Sequence, residues 1–130
     1  MILLDTSAWI EYLASSGLGN EVRDLLYQKV GLYTCPLTIA EISVWCYKNN
    51  DEPERYLAKI RELSSMLDIT EDILVASGRI YTEERKKGGK IGLVDSIIYT
   101  TARFHGLVLW TKDGDFKGLP GVNLLREHRE

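Results

Sequence analysis

Short, uniformly apolar runs alternate with longer segments of helical spacing along almost the whole chain. A run without polar residues is typical of a strand that is covered on both faces, as in parallel sheets. We predict such strands at residues 2–4, 32–34, 66–69, 107–110 and 122–125. Helices are predicted between them at residues 6–14, 21–29, 36–49, 53–65, 71–87 and 93–105. The alternation predicts an α/β fold in which a parallel sheet carries helices on both faces.

The length of the chain favours one domain, residues 1–130, that is large enough to bury a core. No apolar run approaches the roughly 20 residues of a membrane-spanning helix, and the first residues lack the features of a signal peptide. We therefore expect a cytoplasmic protein without a membrane partner. Cys35 and Cys46 stand on separate apolar stretches without metal-ligand spacing, so they are expected to be small buried side chains.

Isolated acidic residues are the main indication of function. Asp5, Glu41 and Asp95 are each the only charged residue of an apolar segment, at residues 1–10, 35–47 and 91–102 respectively. Asp113 follows closely on the apolar run 107–110. An unpaired carboxylate in apolar surroundings is costly, and no Lys or Arg stands in the first three segments. A bound cation is the simplest partner that all of these acids could share.

Two of the acids belong to predicted helices. At 100° per residue, Asp95 falls on the same face as Ile98 and other apolar residues, whereas the opposite face is expected to be exposed. That opposite face carries Ser96, Thr100 and Arg103. A purely structural interpretation also exists, because Asp95 and Glu41 could be first-turn acids that interact with the helix dipole.

The other two acids follow predicted strands. Asp5 ends the first strand and Asp113 lies just past the fourth, so both are expected at the carboxyl edge of the sheet, where such folds place their functional crevice. Structural alternatives remain open here too. Asp5, Thr6 or Ser7 could cap the next helix, and Asp113 and Asp115 could serve only a tight turn.

Several carboxylates in one place need a counter-charge. Two unit charges about 5 Å apart repel by roughly 3 kcal/mol at an effective dielectric constant near 20. Four acids together must share protons or bind a cation, and hard oxygen ligands favour Mg²⁺ or Mn²⁺ over zinc. Because Mg²⁺ also accepts phosphate oxygens, a phosphodiester substrate follows. The net charge of −3 excludes a broad basic surface but permits local phosphate contacts.

The order of these residues resembles the PIN-domain family, and most closely its VapC-type toxins. The resemblance rests on the triplet Asp5-Thr6-Ser7, on Glu41 and Asp95 in later helices, and on the segment Thr111-x-Asp113-x-Asp115-Phe116. It implies a three-layer α/β/α sandwich with a central, mostly parallel sheet, and an endoribonuclease that depends on Mg²⁺ or Mn²⁺. It further implies an RNA substrate, a homodimer, and a cognate antitoxin that silences the enzyme.

The same resemblance assigns roles to residues. Asp5, Glu41, Asp95 and Asp113 are the expected catalytic, metal-binding quartet. Asp115 is a further metal-site acid, and either it or Asp113 could be the inner ligand. The supporting hydroxyls are those of Thr6, Ser7 and Thr111.

Basic residues near these acids are candidate RNA contacts, although a solvated helix end explains most of them equally well. The candidates are Arg85, Lys86, Lys87, Lys90 and Lys112. Three other functions remain open: a non-catalytic RNA-binding or scaffold PIN domain, a PIN nuclease that processes RNA without an antitoxin, and a phosphoacceptor receiver domain. The last also has acids at strand ends, but it would need paired acids after the first strand, where only Asp5 stands.

Overall fold

The computed structural model describes residues 1–28 and 30–126, and within them five strands alternate with six α-helices. The strands are β1 (Ile2–Leu4), β2 (Leu32–Thr34), β3 (Ser65–Met66), β4 (Val108–Thr111) and β5 (Val122–Leu124). The helices are α1 (Thr6–Leu13), α2 (Asn20–Tyr27), α3 (Leu37–Lys48), α4 (Pro53–Leu63), α5 (Glu71–Lys86) and α6 (Leu93–Phe104). Every predicted element is present; β1 and β2 have the predicted bounds, and the described bounds of the others differ by at most three residues. Lys29, the predicted last residue of the second helix, lies outside the described residues.

The five strands form one sheet in the order β3-β2-β1-β4-β5. Each neighbouring pair is parallel, and Leu3 in the central strand β1 stands opposite Tyr33 of β2 and Leu109 of β4. The expectation of a mostly parallel sheet is therefore met by a fully parallel one. All carboxyl ends lie at one edge, and the residues that follow β1 and β4 are neighbours there.

Successive residues of the strands point to opposite faces, and each face is covered by helices. On one face, Ile2 and Leu4 pack with buried residues of α1 to α4, including Trp9 and Ile42. On the other face, Leu3 packs with Leu109 and with buried residues of α6; Ile80 of α5 lies against this second cluster. These two clusters confirm the three-layer α/β/α sandwich. Cys35 and Cys46 are buried in separate clusters, as predicted.

The prediction that one face of α6 is exposed is largely wrong. Ser96 and Thr100 are fully buried, whereas Arg103 is exposed as predicted. The reason is that α5 packs along α6, which the periodicity of α6 alone does not reveal. The hydroxyl of Ser96 donates to the carbonyl of Gly92 at 2.9 Å, and that of Thr100 donates to the carbonyl of Ser96 at 2.7 Å. These local bonds let small polar side chains be buried between two helices.

Within the described residues, no helix combines the length and apolar character needed to cross a membrane. The longest, α5, carries charged side chains at both of its ends.

A buried chain of hydrogen bonds ties α1, β2 and the end of α4 together. The indole N–H of Trp9 donates to Oγ1 of Thr34 at 3.1 Å, and Oγ1 of Thr34 lies 2.7 Å from Oγ of Ser64. Ser64 donates its own proton to the carbonyl of Ile60, so the hydroxyl of Thr34 donates to Ser64. The Thr34 side chain is fully buried and thus satisfies an indole that has no access to water.

Thr34→Val keeps the shape of the side chain but removes the acceptor of the Trp9 indole. We expect a loss of about 1–3 kcal/mol in the free energy of unfolding, because a buried donor is left unsatisfied. Urea denaturation measures it. In a Trp9→Phe background, which has no indole N–H, the same substitution should cost clearly less. Equal costs in both backgrounds would contradict the role given to this bond.

Candidate metal-binding site

Asp5 lies at the carboxyl end of β1 and is almost fully buried. Its carboxylate accepts hydrogen bonds from the Ala8 amide at 2.9 Å, from the Ser7 hydroxyl at 2.7 Å, and from the Thr111 hydroxyl. Asp5 is therefore the N-cap of α1, a role that Thr6 and Ser7 do not fill. Burial raises its pKa to about 6, although these three bonds lower it, and the charge of Asp113 raises it further.

Asp95 is the third residue of α6 and is half-buried. It does lie in the first turn, as the structural interpretation required, but the helix dipole does not dominate its ionisation. Burial raises the pKa of Asp95 to about 7, and the charges of four other acids add to the effect. In order of decreasing effect, these acids are Asp113, Glu41, Asp5 and Asp115. The carboxylates of four separate chain segments thus act on one another at the carboxyl edge of the sheet.

Glu41 is the fifth residue of α3, which begins at Leu37. The interpretation of Glu41 as a first-turn acid is therefore wrong, because the helix starts one residue after Pro36 and the first turn ends before Glu41. The hydroxyl of Thr6 donates to Oε1 of Glu41 at 2.6 Å. Oγ1 of Thr38, a fully buried side chain, lies 3.0 Å from Oγ1 of Thr6. Sequence reasoning missed Thr38, although its spacing of three residues from Glu41 places both on one helix face.

Asp113 and Asp115 differ in their position relative to the other acids. Asp113 is half-buried and caps a short 3₁₀ turn, Gly114–Phe116, by accepting a bond of 2.9 Å from the amide of Asp115. Asp115 is exposed. The charge of Asp113 raises the pKa of both Asp5 and Asp95, whereas Asp115 affects only Asp95 among them, and least of its four acidic neighbours. Asp113 therefore has the stronger coupling to the buried acids.

Hydroxyl groups connect the loop after β4 to the start of α1. Ser7 Oγ lies 3.1 Å from Thr111 Oγ1 and accepts a bond of 2.9 Å from the amide of Lys112. The amide of Asp113 donates to Thr111 Oγ1 at 3.0 Å. Ser7 and Thr111 thus fix both the carboxylate of Asp5 and the backbone that carries Asp113.

An ion pair that the sequence analysis missed lies beside this loop. Lys112 Nζ is 2.7 Å from Oε1 of Glu11, which is only 12% exposed. The hydroxyl of Ser16 also donates to the Glu11 carboxylate. Burial raises the pKa of Glu11, but the bonds from Lys112 and Ser16 outweigh burial and hold the pKa below its ordinary value. Glu11 stands one helical turn after Ser7, a spacing that could have suggested it.

Most of the predicted basic contacts are engaged elsewhere. Lys112 is paired with Glu11, and Lys87 Nζ lies 3.2 Å from Oε2 of Glu84. Arg85 donates through Nε to the Ile91 carbonyl at 3.0 Å, and its guanidinium lies 5.2 Å from the centre of the Tyr81 ring. The remaining candidates, Lys86 and Lys90, are exposed.

The oxygen donors at this edge fit a hard divalent cation in their chemistry, since all of them are carboxylates or hydroxyls. In residues 1–28 and 30–126, however, no group of three or more His, Cys, Asp or Glu is close enough to enclose a metal ion. The raised pKa values of Asp5 and Asp95 show how strongly the arrangement favours a proton or another positive charge.

The raised pKa values predict how stability depends on pH in metal-free protein. Both folded-state values lie above the ordinary value of 3.8, so the folded state binds more protons than the unfolded state between about pH 4 and 7. Stability should therefore fall as the pH rises through this range. The Asp95→Asn variant should lose less stability over this range than the wild type. Its Tm should exceed that of the wild type by roughly 2–5 °C at pH 8 but not at pH 4.

Thermal melts in a chelating buffer at several pH values measure this difference. Asp72→Asn is the control, because Asp72 is an exposed residue in the first turn of α5. Wild-type and Asp95→Asn curves that run parallel with pH would contradict the electrostatic description of the site.

Comparison with known proteins identifies relatives that cover nearly the whole chain. The PIN domain model matches residues 2–122. The chain is 32% identical to the VapC ribonuclease Mb1587 of Mycobacterium bovis, over 97% of this chain and 96% of that protein. It is 30% identical to ribonuclease VapC1 of Methanocaldococcus jannaschii, over 86% of this chain and 75% of that protein.

Solved structures have the same fold. A toxin–antitoxin complex from Klebsiella pneumoniae has a chain 27% identical to this one, with a TM-score of 0.76 and coverage of 98% of this chain and 100% of that chain. VapBC2 from Rickettsia felis, bound to a DNA fragment from its promoter, gives a TM-score of 0.79 at 20% identity, over 97% and 100% of the two chains. At that identity the second likeness concerns the fold alone.

Proposed function

Since this chain belongs to the PIN-domain family, we propose that it is a divalent-metal-dependent endoribonuclease and the toxin of a type II toxin–antitoxin pair. One observation carries the proposal. Asp95 is half-buried, and its pKa is raised by burial and by the charges of four other acids from separate parts of the chain. Like charges in partly buried positions are costly unless protons or a cation offset them, and such clusters are typical of functional sites. The names of the relatives, VapC ribonucleases, support RNA cleavage as that function.

In this proposal Asp5, Asp95 and Asp113 hold the ion, and Glu41 either joins them or orients a water molecule. Asp115 is assigned an outer position, because it is exposed and has the smallest effect on Asp95. Mg²⁺ or Mn²⁺ would make a bound water more acidic and would offset the charge that develops on the phosphate.

The surrounding hydroxyl groups and one backbone amide position the carboxylates of Asp5 and Glu41. The bonds from Ser7, Thr111 and the Ala8 amide fix the carboxylate of Asp5, so it needs little reorganisation when it meets a cation. The bond from Thr6 fixes the orientation of Glu41. Deprotonated Asp5 and Asp95 are required as ligands, and a cation would lower the pKa of both.

Partners follow from the same proposal. The Klebsiella relative is described as part of a toxin–antitoxin complex, which supports a cognate antitoxin for this chain. We also infer a homodimer, because α3 exposes large apolar side chains, among them Val44 and Tyr47, which a second copy could cover. The whole chain, residues 1–130, is taken as one PIN domain that meets RNA in the cytoplasm.

RNA cleavage by the purified protein tests the proposed function. We expect cleavage with Mn²⁺ or Mg²⁺ and none with a chelator. Asp95→Asn should lower kcat by about 100-fold or more, because a lost ligand removes several kcal/mol of transition-state stabilisation. The matched control is Asp72→Asn, which should cleave like the wild type. Undiminished cleavage by Asp95→Asn would refute the site.

Mn²⁺ binding gives a readout that does not depend on activity. Titration calorimetry on metal-free protein should detect Mn²⁺ uptake by the wild type and by Asp72→Asn. The affinity for Mn²⁺ should be at least tenfold lower in Asp5→Asn. This substitution removes only one charged carboxylate, but it is the ligand that is held most rigidly. Equal uptake by wild type and Asp5→Asn would count against Asp5 as a ligand.

A further inference from the structure

A concave surface that contains none of the predicted site residues lies among α1, α2 and α4. Its volume is about 440 Å³. We call it the basic pocket, and it is lined by Tyr12, Leu13, Ser15, Ser16, Gly19, Asn20, Arg23, Arg55, Tyr56 and Lys59. Nothing in the proposed metal site makes use of it.

The charge of this pocket is unlike that of the whole protein. Its lining includes three cationic side chains, Arg23, Arg55 and Lys59, and no acid, although the chain carries a net charge of −3. Arg55 lies 2.9 Å from Oδ2 of Asp51, which offsets part of its charge. Within the described residues Arg23 and Lys59 form no ion pair; the guanidinium of Arg23 donates to the side-chain oxygen of Asn20, a neutral group that leaves its charge unbalanced. A local excess of positive charge favours an anionic ligand.

The floor of the pocket is held in place by packing. A Cβ atom at Gly19 would lie 2.5 Å from the carbonyl oxygen of Glu11, so only glycine lets the turn Gly17–Gly19 approach the end of α1 this closely. Tyr12 packs edge-on against Trp9, and Tyr56 packs edge-on against Trp45. The pocket is therefore preformed, which lowers the entropy lost on binding.

The position of the pocket relates it to the acids. Helix α1 begins beside Asp5 and ends at Leu13 on the pocket wall, a length of about 10 Å at 1.5 Å per residue. Glu11 connects the two ends, because it binds Lys112 next to Asp113 and also accepts from Ser16 of the pocket. A few nucleotides of single-stranded RNA would span this distance.

We propose that the basic pocket binds a backbone phosphate of the RNA substrate, a few nucleotides from the bond that is cut. This rests on the proposed function. Arg23 and Lys59 contact the phosphate, and the hydroxyl-bearing side chains Tyr12 and Ser15 lie beside it. Arg23 and Lys59 thus supply RNA contacts of the kind predicted for three other residues. Those residues are Lys112, Lys87 and Arg85, whose charged groups bind other parts of the protein. Cations with adjacent tyrosines are a common way to bind single strands.

The test measures binding of a labelled single-stranded RNA to the full chain in EDTA, by fluorescence anisotropy at several salt concentrations. EDTA separates binding from cleavage. The test variant carries Arg23→Ala and Lys59→Ala. The control carries Lys48→Ala and Arg79→Ala, which remove the same charge from exposed positions outside the pocket.

We expect the test variant to bind about tenfold more weakly than the control at low salt. The slope of log affinity against log salt should be smaller by roughly 0.7 for each phosphate contact that is lost. Equal affinity and equal slopes for the two variants would overturn the proposal, as would the absence of RNA binding by the wild type. Binding of an octaglutamate peptide that needs Arg23 and Lys59, with RNA affinity unchanged, would assign the pocket to an acidic protein partner instead.

Kinetics with Mn²⁺ separates this proposal from the proposed function. If the wild type cleaves RNA, the test variant should show a raised KM and an unchanged kcat on a long RNA. It should show no change on a dinucleotide, which contains only the bond that is cut and no further phosphate that could reach the pocket. If the wild type cleaves nothing, the nuclease assignment fails, while the EDTA experiment still decides whether the pocket binds RNA. A lowered kcat at unchanged KM would contradict the binding role.

Discussion

Burial of the Asp5 carboxylate at the end of the central strand is the constraint on which the site depends. The carboxylate costs free energy in a nearly dry position, and the hydrogen bonds from Ser7, Ala8 and Thr111 offset part of that cost. These bonds also join β1, α1 and β4. Residues from both ends of the sequence are therefore held together around one charged group, and the sheet order that makes β1 and β4 neighbours is what permits it.

The acids of this edge have structural and electrostatic roles at the same time. Asp5 caps α1, Asp113 caps a short turn, and Asp95 lies in the first turn of α6. Capping bonds are satisfied by ordinary carboxylate geometry, yet the charge of Asp113 raises the pKa of both Asp5 and Asp95, and that of Asp5 raises the pKa of Asp95. A capping role is therefore no argument against a functional role. Local structure fixes where each carboxylate points, and the fold then brings the fixed carboxylates near one another.

The sequence was sufficient for the fold class, because uniformly apolar strands and amphipathic helices alternate without interruption. It also singled out Asp5, Glu41 and Asp95, since each stands apart from other charges, and Asp113, because it follows the apolar run 107–110; their role as site residues stays a prediction. It did not reveal the burial of Ser96 and Thr100, which depends on α5 packing against α6. Nor did it reveal the pairing of Glu11 with Lys112, since the two residues come from distant elements that only the folded sheet brings together.

The basic pocket illustrates the same limit. Arg23, Arg55 and Lys59 stand on two different helices, among acids that the sequence places close by. In the sequence alone, the charges of these acids balance those of the three cations. In the fold no acid lines the pocket, although Asp51 pairs with Arg55, and the three cations lie on one surface, so their excess appears only in three dimensions.

Asp5 and Asp113 stand near opposite ends of the chain, and the electrostatic coupling between them has a consequence for synthesis. A ribosome completes β1 and α1 long before it makes β4, the strand that supplies Thr111 and leads into Asp113. Until then an unfinished polypeptide contains Asp5, Glu41 and Asp95 but lacks Asp113, the fourth of the acids to which cation binding is assigned above. If these acids hold a cation as proposed, the site is completed only when translation has nearly ended.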